Sequence, residues 1–285
     1  KISYNESRLS GYWNGVPKLA AVFWTREEFY MMQIGAQLYT VRERMENKKD
    51  ILDGLKRVAD MGYRCVQVSG IGKKQAMPPE ELREACDALS LKIVITHNDP
   101  ERLLYDTDAV IRENKIMGSQ YLGIGSMPER YRNADWIDHF AKDYRDIAKK
   151  IADNGMLFMY HNHQLEFENL DGRLMMEHLL EDFPADEMGI TFDIFWALVG
   201  GCDVYQWMDI LKDRIHCVHM KDMSVRNRER IMKPVLEGNM NYGAIFQALE
   251  KTCCQYMMVE QDICEGSPYD CLKRSYDNIA KFGYR

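Results

Sequence analysis

Several features are missing from this 285-residue sequence, and each absence argues against a class of protein. No run of about 18 apolar residues occurs, so no membrane span is expected. The longest apolar stretch near the N-terminus, residues 19–24, is too short for the core of a signal peptide. Basic residues are not in excess, since the net charge is −7, which argues against nucleic acid as the main partner.

The eight cysteines lack the spacing of a metal-binding or redox motif, because no two of them form a Cys-x-x-Cys pair. Several lie inside apolar segments, as Cys65 and Cys217 do. In a chain of this length we interpret them as buried, reduced thiols rather than a disulfide framework. The sequence therefore predicts a cytoplasmic protein.

Short apolar segments alternate with longer amphipathic ones from residue 32 to the end. Eight short segments are predicted strands, at residues 33–38, 64–69, 92–97, 121–125, 157–161, 189–193, 214–219 and 257–260. Helical periodicity predicts helices at residues 51–61, 79–89, 102–117, 136–154, 174–182, 242–251 and 269–282. Gly62 and Gly155 stand where a glycine commonly ends a helix. Successive strand–helix units predict parallel strands.

The number of units favours a closed (β/α)8 TIM barrel, which typically needs about 250 residues. A doubly wound open sheet is the alternative, but it usually carries a glycine-rich turn after its first strand. Here that turn is Tyr39-Thr40-Val41-Arg42, without glycine. We predict one barrel domain at residues 32–285, preceded by an extension of unknown role at residues 1–31.

Potential metal ligands stand at the ends of four consecutive predicted strands. Active sites of TIM barrels form at the carboxyl ends of the strands, so these positions are the informative ones. Strands five to eight end, in order, at His161, Asp193, His219 and Glu260. A buried carboxylate is costly unless it is paired or binds a metal. Two imidazoles and two carboxylates suit Mn²⁺, Co²⁺, Zn²⁺ or Fe²⁺ better than Mg²⁺ or Ca²⁺.

Further polar residues lie near the same strand ends. His97 ends strand three, and His163 points the same way as His161 because side chains alternate along a strand. Asp222 and Asp262 are expected to cap the helices that follow them. Three other histidines are interpreted as structural or surface residues, namely His139, His178 and His216.

In these segments the chain resembles the xylose isomerase-like barrel superfamily, the group of sugar phosphate isomerases and epimerases. The resemblance extends from Ile34-Gly35-Ala36-Gln37-Leu38-Tyr39 to the end of the chain. It is carried by Tyr160-His161-Asn162-His163, Phe192-Asp193, Val218-His219-Met220-Lys221-Asp222, Glu237-Gly238-Asn239 and Val259-Glu260-Gln261-Asp262. A subgroup similar to inosose dehydratase, a keto-cyclitol dehydratase, also has a histidine-rich strand five.

The resemblance implies that strands five to eight bind one divalent metal and that two glutamates act as an acid–base pair. Asp193, His219 and Glu260 match the ligands of the family. His161 stands where the family has a glutamate. Trp196 replaces a histidine that the sugar epimerases tend to have three residues after the strand-six aspartate.

The implied activity is isomerisation or epimerisation of a small keto or aldo sugar through a metal-stabilised enolate. Glu260 is the expected general base, with Lys221 and His161 as further catalytic groups. A surface salt bridge is the alternative role of Lys221. Substrate binding is expected from three side chains, His97, His163 and Trp196.

A dehydratase or lyase is the second hypothesis, because a histidine can act as the acid for a leaving oxygen. Two other classes stay open: a metal-dependent nuclease of the AP-endonuclease type, which the acidic charge disfavours, and a non-catalytic sugar-binding barrel. No phosphate-binding glycine motif follows strands seven and eight, which favours an unphosphorylated substrate. Homo-oligomers are common among barrels of this size, although no sequence feature indicates one.

Overall fold

Eight parallel strands close into a barrel in the computed structural model, which describes residues 32–285. The predicted extension at residues 1–31 lies outside the described residues. Strands adjacent in the chain are adjacent in the barrel, and the first pairs with the last. The predicted TIM-barrel fold is confirmed. The strands are β1 Gln33–Gln37, β2 Cys65–Val68, β3 Lys92–Asn98, β4 Tyr121–Ile124, β5 Leu157–His161, β6 Met188–Asp193, β7 Ile215–Met220 and β8 Tyr256–Val259.

Helices follow every strand. The α-helices are α1 Lys48–Asp60, α2 Pro79–Ala88, α3 Pro100–Tyr105, α4 Thr107–Met117, α5 Ile137–Asp153, α6 Met175–Asp182, α7 Ile194–Val199, α8 Val204–Ile210, α9 Tyr242–Leu249 and α10 Pro268–Ala280. Gly62 and Gly155 have positive φ just after α1 and α5, as predicted. Among residues 32–285, none of the helices combines the length and apolarity that crossing a bilayer requires.

Three local features differ from the prediction. The predicted helix at residues 102–117 is divided into α3 and α4 at Asp106, whose backbone is not helical. Helices α7 and α8 were not predicted, because segments of six and seven residues show little helical periodicity. Two hairpins were also missed, Asn169–Leu170 with Arg173–Leu174 and Asp222–Arg226 with Glu229–Lys233. The longer hairpin turns at Asn227 and Arg228, both with the positive φ of a type I′ turn.

The barrel interior is stacked in layers. Alternation along a strand directs every second side chain inward. One buried apolar layer includes Cys65, Ile95, Met159, Cys217 and Met258. Two positions further along the same strands, the inward residues are polar, and the layer that they form at the carboxyl end of the barrel contains Gln67, His97, His161, His219 and Glu260. Functional groups are therefore concentrated at one end of a packed core.

Candidate metal centre and substrate cavity

Four side chains from consecutive strands converge at the carboxyl end of the barrel. His161 ends β5, Asp193 ends β6, His219 lies near the end of β7, and Glu260 directly follows β8. One potential ligand atom from each lies within 4.8 Å of the other three, and all four residues are buried. The structure thus brings together the four residues that the sequence singled out as metal ligands.

The hydrogen bonding of His161 leaves a lone pair facing the centre of this cluster. Nδ1 is 2.9 Å from the backbone carbonyl oxygen of Gly125, which can only accept a hydrogen bond, so Nδ1 carries the hydrogen. Burial and the nearby His219 lower the pKa of His161, so its ring is neutral and its Nε2 has no hydrogen. Nε2 is 3.2 Å from Oδ2 of Asp193. Because both atoms are then acceptors, a cation bound by both would relieve their mutual repulsion.

His219 contacts Glu260 much as His161 contacts Asp193, with a ring nitrogen close to a carboxylate oxygen. Its Nδ1 is 2.8 Å from Oε2 of Glu260 and 3.5 Å from Oδ2 of Asp193. Both Nδ1 of His219 and Oε2 of Glu260 are buried without a well-formed hydrogen bond. Burial lowers the pKa of His219, but the carboxylates of Glu260 and Asp193 outweigh it and raise the pKa to about 8. The surroundings therefore favour positive charge at this point.

Lys221 is part of the cluster and is not a surface residue. Only 1% of its side chain is exposed, so the predicted alternative of a surface salt bridge is wrong. Its Nζ lies 2.9 Å from Asp193, 3.0 Å from Glu260 and 2.8 Å from Asp262. Burial lowers the pKa of Lys221, but these three carboxylates raise it far above its usual value. Lys221 is accordingly a permanent ammonium ion.

The donor set and its charge fit a divalent cation. Asp193, Glu260 and Asp262 surround one ammonium group, which leaves an excess of negative charge in a buried site. Burial raises the pKa of Asp193 and Glu260, but Lys221 and the histidines lower both well below their usual range. His161, Asp193, His219 and Glu260 could therefore hold a divalent metal through two nitrogen and two oxygen atoms.

Backbone hydrogen bonds hold Asp193 beside β5. The side chain of Asn162 accepts from the backbone N–H of Asp193 at 2.8 Å and donates to its carbonyl oxygen at 3.1 Å. Oδ1 of Asp193 also accepts from the backbone N–H of Trp196 and so caps α7. The Trp196 contact occupies Oδ1 of the carboxylate, and Oδ2 is directed at the cluster.

Asp222 and Asp262 do not cap the following helices, so that expectation was wrong. Asp222 accepts from the backbone N–H groups of Met223, Gly238 and Met240 and holds the connection between the hairpin and α9. A side chain at Gly238 would collide with this carboxylate, because a Cβ there would lie 2.3 Å from Oδ1 of Asp222. Asp262 instead contacts Lys221. Helices α9 and α10 begin after Asn241 and Ser267.

A cavity of about 290 Å³ opens beside the cluster. It is lined by Tyr39, Ser69, His97, Gly125, Ser126, His161, His163, Glu260 and Asp262. Burial lowers the pKa of His97 well below its usual value and that of His163 to about 3, so both rings are neutral. Nδ1 of His163 is buried without a hydrogen-bond partner. Trp196 is not among the lining residues; it packs against His163 and Lys221.

Three buried polar residues of the site were missed by the sequence reasoning. Gln67 contacts His97 and His219, Asn162 holds Asp193, and Glu166 supports the loop after β5. Glu166 accepts from the hydroxyl of Tyr160 at 2.5 Å and from the backbone N–H of His163 at 2.6 Å. Burial raises the pKa of Glu166 to about 7, although both hydrogen bonds oppose this. Of the three, only Asn162 lies in a motif that carried the family resemblance, Tyr160-His161-Asn162-His163.

Comparison with known families agrees with this architecture. The model of the xylose isomerase-like TIM barrel matches residues 55–265. The chain belongs to this family. The resemblance predicted from the strand-end motifs is thereby confirmed. None of the curated proteins that were compared matches the sequence.

Solved structures with the same fold include enzymes of different reaction classes. A sugar phosphate isomerase/epimerase from Parabacteroides distasonis superposes with a TM-score of 0.72 at 20% identity, over 92% of this chain and 98% of its own. A probable 3-DHS dehydratase from Bacillus anthracis has a TM-score of 0.68 at 14% identity, over 87% and 99%. An L-ribulose 3-epimerase has a TM-score of 0.64 at 13% identity, over 88% and 94%. At these identities the likeness shows the fold.

Proposed function

We propose that this protein is a metal-dependent isomerase or epimerase of a small keto or aldo sugar. The observation that carries the proposal is the convergence of His161, Asp193, His219 and Glu260 beside a polar cavity. A divalent cation held by these residues, which we expect to be Mn²⁺, Co²⁺, Zn²⁺ or Fe²⁺, would act as a Lewis acid toward substrate oxygen atoms. The eight cysteines are free thiols, which supports a reducing compartment such as the cytoplasm.

The cavity supports an uncharged, polyhydroxylated substrate. Its lining offers the hydroxyls of Tyr39, Ser69 and Ser126 and the imidazole of His163, while the ring nitrogens of His97, which also lines the cavity, already contact Gln67 and Ser69. These groups match the hydroxyl and carbonyl oxygens of a sugar, since each can donate or accept one hydrogen bond. The described residues that line the cavity include no lysine or arginine, so we expect a substrate without phosphate.

Glu260 is the proposed general base. It lines the cavity, and Lys221 keeps it ionised by holding its pKa low. An ionised carboxylate beside the substrate can remove a proton from the carbon next to the carbonyl. The N–H groups of Lys221 already contact Asp193, Glu260 and Asp262, so its proposed role is to fix these carboxylates.

The position of a second acid favours isomerisation over epimerisation. Asp262 lines the same cavity, and burial together with Glu260 raises its pKa. Glu260 and Asp262 contact the same Nζ of Lys221, so both lie on one side of the cavity. If Glu260 removes the proton from one carbon and an acid on the same face returns a proton to the neighbouring carbon, while a hydroxyl proton passes between the two substrate oxygens, the carbonyl moves to the adjacent carbon. Epimerisation would need a proton donor on the other face, where His163 could act only through the N–H of its neutral ring.

Elimination of water from a keto sugar or keto-cyclitol is the second candidate function. The observation that favours it is the pair of imidazoles at the end of β5, where the rings of His161 and His163 lie 4.5 Å apart. Strand β5 thus ends without the second glutamate that the two-carboxylate mechanism of the family uses. The N–H of the neutral His163 ring would donate to a departing hydroxyl group, and the same enolate would then lead to an unsaturated product.

Solvent exchange distinguishes these reactions. The purified protein would be loaded separately with Mn²⁺, Co²⁺, Zn²⁺ and Mg²⁺ and incubated in deuterated water with ketoses and aldoses of five and six carbons. We expect deuterium at the carbon next to the carbonyl, followed by NMR, with no loss of water. An unsaturated product would favour the lyase alternative.

A matched pair of variants connects the activity to the cluster. Glu260→Gln should abolish deuterium uptake. Glu265→Gln should not change it, because Glu265 lies on the same connection after β8 but is exposed and forms ion pairs with Arg226 and Lys233. Absence of deuterium uptake with all four metals and all substrates, or uptake that survives Glu260→Gln, would contradict the proposed function.

A further inference from the structure

The amide of Gln67 lies between two histidines and contacts both. Its Oε1 is 2.8 Å from Nε2 of His219, and its Nε2 is 2.7 Å from Nε2 of His97. Gln67 is fully buried at the inner face of β2, so the amide has no access to bulk water. Both ends of the amide are therefore satisfied by imidazole nitrogens.

An amide imposes opposite requirements on these two rings. Its oxygen can only accept and its nitrogen can only donate. The ring nitrogen that faces Oε1 must carry a hydrogen, and the ring nitrogen that faces the NH₂ group must present a lone pair. Nε2 of His219 then carries a hydrogen whether or not the ring is charged, and His97 is the Nδ1–H tautomer; a cation at Nδ1 of His219 would leave that ring neutral. Turning the amide over would reverse both tautomers together.

The other side of His219 fixes which way the amide points. Nδ1 lies 2.8 Å from Oε2 of Glu260, yet neither atom makes a well-formed hydrogen bond. A neutral ring with its hydrogen on Nδ1 would be expected to direct that hydrogen at Oε2. A cation bound by Nδ1 of His219 beside the carboxylates of Glu260 and Asp193 would require a lone pair on Nδ1, and the hydrogen would then be on Nε2, facing Oε1 of Gln67.

The hydrogen bonds of His97 connect Gln67 to the cavity. Its Nδ1 is 3.2 Å from Oγ of Ser69, and His97 and Ser69 both line the cavity. With the hydrogen on Nδ1, His97 donates to Oγ of Ser69. The hydroxyl hydrogen of Ser69 is then left to point at a substrate oxygen. In the opposite tautomer, Ser69 would donate to His97 and present only lone pairs to the substrate.

We propose that Gln67 is a positioning residue that couples the cation site to the substrate cavity. It holds His219 with Nδ1 free for a cation and, through the same amide, holds His97 as a hydrogen-bond donor to Ser69. The roles of the cation and the sugar rest on the proposed function, whereas the coupling of the two tautomers does not.

Nitrogen NMR of the histidines tests the coupling directly. The protein would be ¹⁵N-labelled and deuterated, and long-range ¹H–¹⁵N spectra would be recorded with and without Zn²⁺, which is diamagnetic. We expect hydrogen on Nε2 of His219 and on Nδ1 of His97 when Zn²⁺ is bound, and only one hydrogen on the two Nε2 atoms in either state. Hydrogen on both Nε2 atoms, or on Nε2 of His97 with Zn²⁺ bound, would overturn the proposal.

Substitutions separate the two ends of the amide. Gln67→Glu offers acceptors at both ends, so His97 should change to the Nε2–H tautomer while His219 keeps its own. Gln67→Met removes both contacts and should weaken Zn²⁺ binding by about 10–100-fold, measured by competition with a chromogenic chelator. Gln37→Met is the matched control, because Gln37 is also buried at a strand end but its side chain accepts from the backbone N–H of Tyr39.

Two results would separate failure of this inference from failure of the proposed function. If Gln67→Met binds Zn²⁺ as tightly as Gln37→Met does, Gln67 does not position His219 and the inference is wrong. If the unaltered protein binds no Zn²⁺, Mn²⁺ or Co²⁺, the proposed function fails, and the spectra of the metal-free protein still decide whether the two tautomers are opposite.

Discussion

Two neighbouring layers of the barrel interior differ sharply, although the same strands build both. The lower layer is apolar, whereas the upper layer, two residues further along, holds amide, imidazole and carboxylate groups. The pairs are Cys65 and Gln67, Ile95 and His97, Met159 and His161, Cys217 and His219, and Met258 and Glu260. Position along the strand therefore separates the groups that pack the core from those that carry the proposed chemistry.

The upper layer tolerates its charges because each has a partner. Lys221 contacts three carboxylates, and the buried carboxylates contact Lys221 or the histidines. The lower layer needs no such partners, since methionine and cysteine side chains fill space by dispersion contacts. We therefore expect changes in the upper layer to affect activity and electrostatics, and changes in the lower layer to affect only the free energy of unfolding.

The largest expected contrast is between Glu260→Gln, directly after β8, and Met258→Leu, two residues earlier within β8. Loss of the general base should reduce kcat by about 10²–10⁴-fold. Met258→Leu conserves volume and should leave kcat within a few-fold, with a stability change below about 1.5 kcal/mol. Steady-state kinetics on a substrate that shows deuterium exchange would measure this. A loss in Met258→Leu as large as that in Glu260→Gln would remove the distinction between the layers.

Lys221→Met should be the most destabilising change in the upper layer. It leaves Asp193, Glu260 and Asp262 without their ammonium partner, so the free energy of unfolding should fall by about 3–5 kcal/mol in metal-free protein. Urea denaturation in the presence of a chelator would measure it. Lys273→Met is the control, since Lys273 forms an exposed ion pair with Asp277 and should change stability by less than about 1 kcal/mol. Equal effects would show that Lys221 is not the counter-ion of the cluster.

Met159→Ala tests the lower layer beneath His161. Met159 is fully buried, so truncation should lower the free energy of unfolding by about 2–5 kcal/mol. The Zn²⁺ dissociation constant of the folded variant should stay within about threefold of the original value, because the hydrogen bond from Nδ1 of His161 to the carbonyl oxygen of Gly125 orients the ring. Urea denaturation and chelator competition would measure the two quantities. A large loss of Zn²⁺ affinity would show that the layers are mechanically linked.

Glu166 gives an expected effect on stability that depends on pH. Its folded pKa of about 7 lies above the ordinary value of 4.5, so the folded state holds a proton that the unfolded chain releases. Its contribution to stability is therefore complete below pH 4.5 and is lost as pH rises to about 7, with a slope of at most about 1.4 kcal/mol per pH unit. Glu166→Gln keeps the shape of the side chain and should make the free energy of unfolding less dependent on pH between about 4.5 and 7. An unchanged pH profile would contradict the raised pKa.

The sequence predicted the strands well because their signal is local. All eight were expected within one or two residues of their observed ends, and the rule that barrel sites form at carboxyl strand ends located the ligands. Gln67 was missed because Val66-Gln67-Val68 has the pattern of an ordinary strand, while its partners His97 and His219 are 30 and 152 positions away. Contacts of that kind depend on barrel closure, which no local pattern encodes.

The burial of Lys221 could not be predicted from the sequence for the same reason. In sequence it lies between His219 and a hairpin, where an exposed lysine would be equally common. Its three carboxylate partners come from β6 and from the segment after β8, so only the assembled barrel shows that the ammonium is enclosed. The role expected for Asp222 failed similarly, because a hairpin and not a helix follows β7.

All four proposed ligands belong to the second half of the chain, β5 to β8, whereas β1 to β4 contribute Gln67, His97, Ser69 and Gly125. The two halves of the barrel therefore have different proposed roles. The proposed reactive groups are encoded in one contiguous stretch of polypeptide, and much of the proposed substrate contact and ligand orientation in the other. Substitutions in the first half can consequently retune which molecule is accepted while the reactive groups of the second half stay in place.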